Sequence, residues 1–68
     1  MEWDAPGIVL AVHPYGESDA VATVMTEAQG AQRGLARGAQ SRHAALWQPG
    51  NLVQARWVGR LADQLGSF

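Results

Sequence analysis

The arginines are the side chains of this sequence whose type and spacing point most directly to a chemical role. The 68 residues include no lysine at all. Positions 28 to 62 contain no aspartate or glutamate, and they hold all five arginines: Arg33, Arg37, Arg42, Arg56 and Arg60. Guanidinium groups bind phosphate oxygens through paired hydrogen bonds. The basic stretch therefore indicates an anionic partner, although the formal net charge of the chain is only −1. The alternative is an ordinary solvated face.

Arg33 and Arg37 are the strongest pair among these candidates. At about 3.3 Å per residue of strand, both side chains share one face and lie about 13 Å apart, close to two phosphate spacings on an extended nucleic-acid strand. We predict that both contact one phosphate backbone. The alternative is that both extend into solvent from the barrel ends while Leu35 points inward.

The other basic candidates have less support from the pattern. Arg42 and His43 lie in a polar connection, where contact with DNA and plain surface exposure are equally supported. Arg56 and Arg60 lie on the polar face of a later strand, where we favour a solvated wall. The alternative is that they extend the phosphate track without reading bases.

Two aromatic side chains are candidate platforms for base stacking, which stabilises a complex by ~1–3 kcal/mol per base. Tyr15 lies at the first turn, and Trp47 lies in the long connection before the last clear strand. For Trp47, which follows Leu46, we favour a plug that closes one end of the fold. Trp57 lies on the apolar face of its run and is expected in the core.

No pattern in the sequence indicates catalysis. There are no cysteines and only two histidines, so disulfides and thiolate zinc sites are excluded within these residues. Glu17 and Asp19 lie in a turn, where we expect them to accept hydrogen bonds from backbone N–H groups, with Asp19 serving the start of its own strand. We predict that the chain is not an enzyme and holds no cofactor and no metal.

Short apolar runs separated by turn signals indicate an all-β protein. The predicted strands are residues 7–13, 19–26, 31–37 and 52–61. The first run is apolar on both faces, as a central strand covered on both sides would be, and we expect Pro14 to end it. The last run alternates, with Val53, Ala55 and Trp57 on its apolar face.

The connection between the third and fourth strands breaks this pattern. Ser41 is a suitable N-cap for a short helical turn that runs to Trp47. A truncated fifth strand begins after Gln64. This order predicts a small five-stranded OB-fold, which is a Greek-key barrel. We expect residues 1–68 to form a single domain, an N-terminal fragment of a longer protein, with an open strand edge that supports self-association.

Hydropathy predicts no membrane span, because the longest strongly apolar run, Ile8–Val12, has only five residues. The first residues contain neither the basic segment nor the long apolar segment of a secretory signal. We therefore expect a cytoplasmic protein with no membrane partner.

An ordered series of short motifs covers nearly the whole chain: Gly7-Ile8-Val9-Leu10, Tyr15-Gly16-Glu17-Ser18-Asp19, Gly30, Gly34-Leu35-Ala36-Arg37-Gly38-Ala39 and Leu46-Trp47-Gln48-Pro49-Gly50. No single motif is specific, but their order and spacing resemble the N-terminal domain of the RecO family of bacterial recombination mediators. The stretch after the third strand is usually strongly basic in that family. Here Gln32, Gln40 and Ala44 stand where positive charge is expected, which predicts weaker DNA binding.

The resemblance implies a DNA-binding module of DNA repair. Such a module would bind single- and double-stranded DNA mainly through phosphates, promote strand annealing and help to load RecA. The implied partners are a RecR-like protein, the single-strand-binding protein and RecA, in the bacterial cytoplasm at the nucleoid. The alternative is a protein-interaction barrel that docks a RecR-like protein or the single-strand-binding protein and has no strong DNA site. A third hypothesis is an RNA- or translation-associated module, but the ordered motifs argue against it.

Overall fold

The β-type runs of the sequence form the strands of a small barrel. The computed structural model describes residues 2–59 and 65–68, with strands β1 (Glu2–Tyr15), β2 (Asp19–Thr26), β3 (Gly30–Ala36), β4 (Leu52–Val58) and β5 (Gly66–Ser67). They hydrogen-bond in the ring order β1-β2-β3-β5-β4, and β4 returns to β1. The neighbours are antiparallel except for β3 and β5, which are parallel. This closed ring confirms the predicted all-β, OB-like barrel.

The first strand is longer than predicted, and its central run is not covered on both faces. Val9 is buried, whereas Ile8 and Leu10 are exposed. A β-bulge between Val9 and Ala11 then shifts the alternation by one residue, so that Val12 packs against the core. The prediction of a doubly covered strand is therefore wrong. The continuous apolar run arises from a bulge together with two apolar residues that face outward.

Pro14 lies within β1 rather than at its end. It is paired with Ala20 of β2, and β1 continues to Tyr15. Because β4 pairs with β1 only from Glu2 to Ile8, the strand has a sheet neighbour on one side at Pro14. Such an edge position tolerates the missing N–H of proline, so the predicted strand end is wrong.

The alternation predicted for the third and fourth strands is confirmed. Val53, Ala55 and Trp57 of β4 are buried, and the β4 residues between them are exposed. In β3, Gly34 and Ala36 are buried, whereas Arg33 is exposed and Leu35 shares its outer face. The third strand is shifted by one residue from its predicted bounds, and the end predicted for the fourth strand lies outside the described residues.

The connection between β3 and β4 contains no helix. Residues 37–47 form consecutive turns, and Trp47 N donates to His43 O (3.2 Å) in a single helical turn. Ser41 caps no helix, because Gly38 O accepts the N–H groups of both Ser41 (3.0 Å) and His43 (2.9 Å) and so closes tight turns. In the described part of the chain, no helix is long and apolar enough to cross a membrane.

The fifth strand closes the barrel although it is very short. Gly66 pairs with Gly34 of β3, and Ser67 pairs with Leu35 of β3 and with Val58 of β4. The open edge expected at this strand is therefore not present among residues 2–59 and 65–68. β5 itself has a partner on each side, but it pairs with only two residues of β3 and one of β4. The expected self-association through a strand edge stays a prediction.

The core consists of small side chains around one large ring. Trp57 is the largest fully buried side chain among the described residues, and Trp3 stacks on it with ring centroids 6.1 Å apart. The indole N–H of Trp57 donates to the carbonyl oxygen of Arg33 (2.9 Å). The other buried hydrophobic residues are alanines and valines: Val9, Ala20, Ala22, Val24, Ala36, Ala39, Val53 and Ala55. The expectation that Trp57 lies in the core is confirmed.

Gly66→Ala is expected to destabilise the barrel. A Cβ atom on Gly66 would lie 2.5 Å from Cζ2 of Trp57 and 2.6 Å from the carbonyl oxygen of Val58. A buried ring and a hydrogen-bonded backbone cannot shift without disturbing their neighbours. Overpacking of this kind lowers the free energy of unfolding by about 1–3 kcal/mol. Urea denaturation followed by tryptophan fluorescence measures the loss. Ser67→Ala, at an exposed position of the same strand, is the control, and equal midpoints for the two variants would contradict the prediction.

Candidate nucleic-acid interface

Two loops at one end of the barrel carry most of the candidate side chains. The hairpin loop, residues 16–18, joins β1 to β2, and the long loop, residues 37–51, joins β3 to β4. Tyr15 lies directly before the hairpin loop. The candidates in the long loop are Arg37, Arg42, His43 and Trp47.

Four hydrogen bonds, the clasp, hold the start of the long loop against the hairpin loop. Gly38 N donates to Oδ1 of Asp19 (2.9 Å), and Gln40 N donates to the carbonyl oxygen of Ser18 (2.9 Å). The side-chain amide of Gln40 donates to the carbonyl oxygens of Gly16 (3.3 Å) and Asp19. The clasp therefore fixes the two loops relative to each other.

The carboxylate of Asp19 binds a different backbone group from the one expected. It accepts from Gly38 N, 19 residues further along the chain, rather than from the start of its own strand. Asp19 thus connects two loops instead of ordering one turn. No three histidine, aspartate or glutamate side chains within residues 2–59 and 65–68 lie close enough together to hold a metal ion.

Gly38 lies beside two basic side chains of the long loop. Its φ of +73° is a left-handed conformation that glycine adopts without strain. A Cβ atom built on Gly38 would lie 3.0 Å from Cδ2 of His43 and 3.6 Å from Cγ of Arg42, so both side chains pass close to this glycine. Arg37 directly precedes Gly38, and all three side chains belong to exposed residues. The structure therefore brings Arg42 and His43 to the backbone position that directly follows Arg37.

Arg33 lies on the outer face of β3, opposite Thr23 of β2, and is exposed. Leu35 shares that outer face, so the alternative in which Leu35 points into the core is wrong. In the described part of the chain, Arg33, Arg37 and Arg42 form no ion pair. Their contact with phosphate stays a prediction.

Arg56 differs from the other described arginines because it forms an ion pair. Its guanidinium lies 3.5 Å from a carboxylate oxygen of Glu2, with the two side chains 66% and 61% exposed. On the same face, the Gln54 amide donates to Asp4 (2.5 Å). The antiparallel pairing of β1 with β4 therefore places the acidic N-terminal segment beside one of the arginines. Arg60 lies outside the described residues.

The two candidate stacking residues have different surroundings. Tyr15 is 60% exposed, and Asp19 is its cross-strand partner. Trp47 packs against both groups of buried core residues, and its ring centroid lies 5.3 Å from that of Phe68. These contacts favour the plug interpretation of Trp47 and leave Tyr15 as the accessible ring.

An apolar row crosses the outside of the barrel. Leu52, Ile8, Met25 and Ala31 are successive cross-strand partners in β4, β1, β2 and β3, and all four residues are exposed. Exposed apolar side chains that line up in this way are typical of a surface that meets another molecule.

No local pattern in the sequence predicts the contacts that Gly38 and Gln40 make. Gln40 stands where a basic residue was expected, and its amide instead holds two carbonyl oxygens of the neighbouring turn. Asp19 was identified only as a turn residue. Their shared function depends on a contact between loops that are far apart in sequence, and no periodicity within either loop reports such a contact.

The ring order of the strands and the parallel contact between β3 and β5 define this chain as a small OB-like barrel, with two joined loops at one end. The chain belongs to the RecO N-terminal family. It matches the family described as recombination protein O N terminal over residues 1–68. The resemblance seen in the ordered motifs is thereby confirmed.

Curated relatives share much of the sequence. The chain is 63% identical to the DNA repair protein RecO of Granulibacter bethesdensis, over 100% of this chain and 28% of the relative. It is 57% identical to that of Gluconacetobacter diazotrophicus, over 27% of that protein, and 56% identical to that of Acidiphilium cryptum, over 28%. The chain thus spans just over a quarter of the length of these relatives. No solved structure matches it.

Trp47→Ala is expected to destabilise the fold more than Tyr15→Ala. Trp47 contacts the core and Phe68, so its truncation should lower the free energy of unfolding by about 2–4 kcal/mol. Removal of the exposed Tyr15 ring should change it by less than about 1 kcal/mol. Denaturant midpoints of the two variants measure the difference. Equal losses would contradict the assignment of Trp47 as the plug.

Proposed function

We propose that this chain is a DNA-binding module of a bacterial recombination mediator that acts in DNA repair. Membership of the RecO N-terminal family supports the role in repair, and the relatives at up to 63% identity are named DNA repair proteins. The module would bind single- and double-stranded DNA mainly through the phosphate backbone, with little sequence preference. The observation that carries DNA binding is the group of exposed basic side chains beside the clasp, of which Arg37 and Arg42 form no ion pair within residues 2–59 and 65–68.

The proposed phosphate track begins at the long loop and continues along β3. Arg42 and His43 lie beside Gly38, and Arg37 directly precedes it. Arg33 lies four residues before Arg37, on the outer face of β3. Guanidinium forks bind the oxygens of successive phosphates and need no particular base. Arg56 contributes less in this proposal, because Glu2 already neutralises part of its charge.

Acidic residues at the same end limit the strength of this site. The carboxylate of Asp19 accepts from Gly38 N, next to Arg37, and Glu17 lies in the hairpin loop that the clasp joins to the long loop. The net positive potential of this barrel end is therefore modest. We expect weak binding that depends strongly on salt, because counterion release then supplies most of the affinity.

The roles of the complete mediator extend beyond the part covered by this chain, which spans just over a quarter of its relatives. We propose that the complete protein anneals complementary strands and loads RecA, with a RecR-like protein and the single-strand-binding protein as partners, in the bacterial cytoplasm at the nucleoid. The barrel would contribute by neutralising part of the repulsion between two strands while their bases stay accessible.

Fluorescence anisotropy of a labelled oligo-dT, titrated with the chain from about 20 to 200 mM salt, tests DNA binding. If three arginines contact phosphates, log K should fall with log salt at a slope near −2, because each neutralised phosphate of a single strand contributes about 0.7. Arg37→Ala and Arg42→Ala should each reduce the slope by about 0.7. Arg56→Ala, which removes an equal charge already paired with Glu2, should reduce it by less.

Circular dichroism of each variant provides the control for folding. A folded wild-type chain that binds no oligo-dT at about 20 mM salt would contradict the proposal. Equal effects of Arg37→Ala and Arg56→Ala would show instead that binding follows total charge and not the side chains gathered at the clasp.

Annealing is expected to depend on the same track. The double variant Arg33→Ala/Arg37→Ala should anneal complementary oligonucleotides more slowly than the wild-type chain, because two strands are then less well neutralised. Fluorescence quenching between labelled strands measures the rate. An unchanged rate would remove these two residues from the mechanism.

The second candidate function is docking of a partner protein, a RecR-like protein or the single-strand-binding protein. The apolar row, with Leu52 71% exposed and Ile8 and Met25 more than 40% exposed, is the observation that favours it. An apolar interface depends only weakly on ionic strength, whereas phosphate binding weakens steeply with salt. The anisotropy titration therefore separates the two functions.

A further inference from the structure

We propose that Asp19 and Gln40 are positioning residues that join Tyr15 and Arg37 into one two-part subsite for single-stranded nucleic acid. In this subsite an unstacked base lies on the Tyr15 ring, and an adjacent phosphate binds the guanidinium of Arg37. The inference rests on the proposed DNA binding and deepens it, because it names a single strand with an accessible base as the preferred ligand.

The adjacency of the two halves follows from the contacts of Asp19. Tyr15 is its direct cross-strand partner, so the two side chains stand on the same face with Cβ atoms about 4.5–5.5 Å apart. The carboxylate of Asp19 accepts from Gly38 N (2.9 Å), and Arg37 is the residue before Gly38. Asp19 is thus the cross-strand partner of the aromatic residue and a hydrogen-bond partner of the backbone directly after the arginine.

Gln40 supplies a second, independent attachment between the same loops. Its amide donates to the carbonyl oxygens of Gly16 and Asp19, and its backbone N–H donates to Ser18 O. A duplex offers phosphates but keeps its bases stacked, so it would engage Arg37 without using Tyr15. A fixed pairing of ring and guanidinium therefore selects for a single strand, as stacking platforms in single-strand binders do.

The charge of Asp19 argues for positioning rather than for direct attraction of the ligand. A carboxylate near a phosphate-binding arginine repels the phosphate, so electrostatics alone predicts that removing Asp19 strengthens binding. The positioning role predicts the opposite for a ligand that carries bases. The same substitution therefore has effects of opposite sign under the two explanations.

Loss of the clasp is expected to leave the barrel folded. Ala39 is buried in the core, and Trp47 packs against the core from further along the long loop. These residues keep the loop attached while its start becomes free to move relative to the hairpin loop. Circular dichroism and the denaturant midpoint check that Asp19→Ala and Gln40→Ala remain folded.

The test compares two probes, an oligo-dT and an abasic oligomer of the same length, which has phosphates but no bases. The wild-type chain should bind oligo-dT roughly 5- to 150-fold more tightly than the abasic oligomer, the range expected for one stacked base. Asp19→Ala and Gln40→Ala should bring this ratio close to one, with the salt slope unchanged. Asp19→Asn, which keeps an oxygen acceptor for Gly38 N, should retain most of the ratio.

Glu17→Ala is the matched control, because it removes one negative charge from the neighbouring hairpin loop and leaves the clasp in place. It should strengthen binding of both probes to a similar extent and keep their ratio. Amide hydrogen exchange at Gly38 reports the clasp directly: it should be slowed in the wild-type chain and in Asp19→Asn, and faster in Asp19→Ala.

The outcomes separate this inference from the proposed function. If no probe binds the folded wild-type chain, the proposed DNA binding fails. If both probes bind with the expected salt slope but the wild-type ratio is one, the two-part subsite is refuted while phosphate binding stands. A ratio that persists in both folded clasp variants also refutes the positioning role of Asp19 and Gln40.

Discussion

The packing of the Trp57 indole is the interaction on which the rest of this structure depends. Its ring is fully buried in a barrel whose other buried hydrophobic residues are alanines and valines, and its N–H donates to the carbonyl oxygen of Arg33. This bond links β4 to β3 across the two-residue strand β5 that separates them in the ring. Gly66 and Gly59 leave the space that the ring occupies, since a Cβ atom at either position would overlap it. A domain of 68 residues buries little surface, so one large, satisfied side chain contributes a large share of its stability.

The candidate site is an extension of this core. Because Trp57 holds the backbone of Arg33, the path of β3 is fixed up to its end at Ala36, and the chain enters the long loop in a defined direction. Gly38 then turns in a left-handed conformation, and the clasp ties the loop to the hairpin loop. Loops placed by a rigid scaffold in this way carry binding residues in many folds. Here the scaffold is small, and the hydrogen bonds of the clasp add the precision that the strands alone do not provide.

Acidic and basic residues that are separated along the sequence lie side by side in the structure. Along the chain, acidic residues precede basic ones with little mixing, which indicates a basic half. The barrel closes β4 onto β1, and this places Glu2 beside Arg56 and the carboxylate of Asp4 beside Gln54. The hairpin between β1 and β2 likewise brings Asp19 to the start of the long loop. Arg33, Arg37 and Arg42 carry no ion pair within the described residues, so the basic surface is smaller and more localised than the sequence indicates.

The sequence by itself determined the fold class, the inward faces of β3 and β4 and the family, because these follow from alternation, turn residues and an ordered series of motifs. Period-two alternation reports which side of a strand is buried, so Trp57 was identifiable as core, and Arg33 as outward-facing. Only the tertiary structure decided the bulge in β1, the tight turns that Gly38 closes with Ser41 and His43, and the closure by β5. It alone also joined Asp19 and Gln40 into the clasp. These features depend on hydrogen bonds between residues far apart in the chain, and local patterns contain no information about which distant backbone group a side chain will meet.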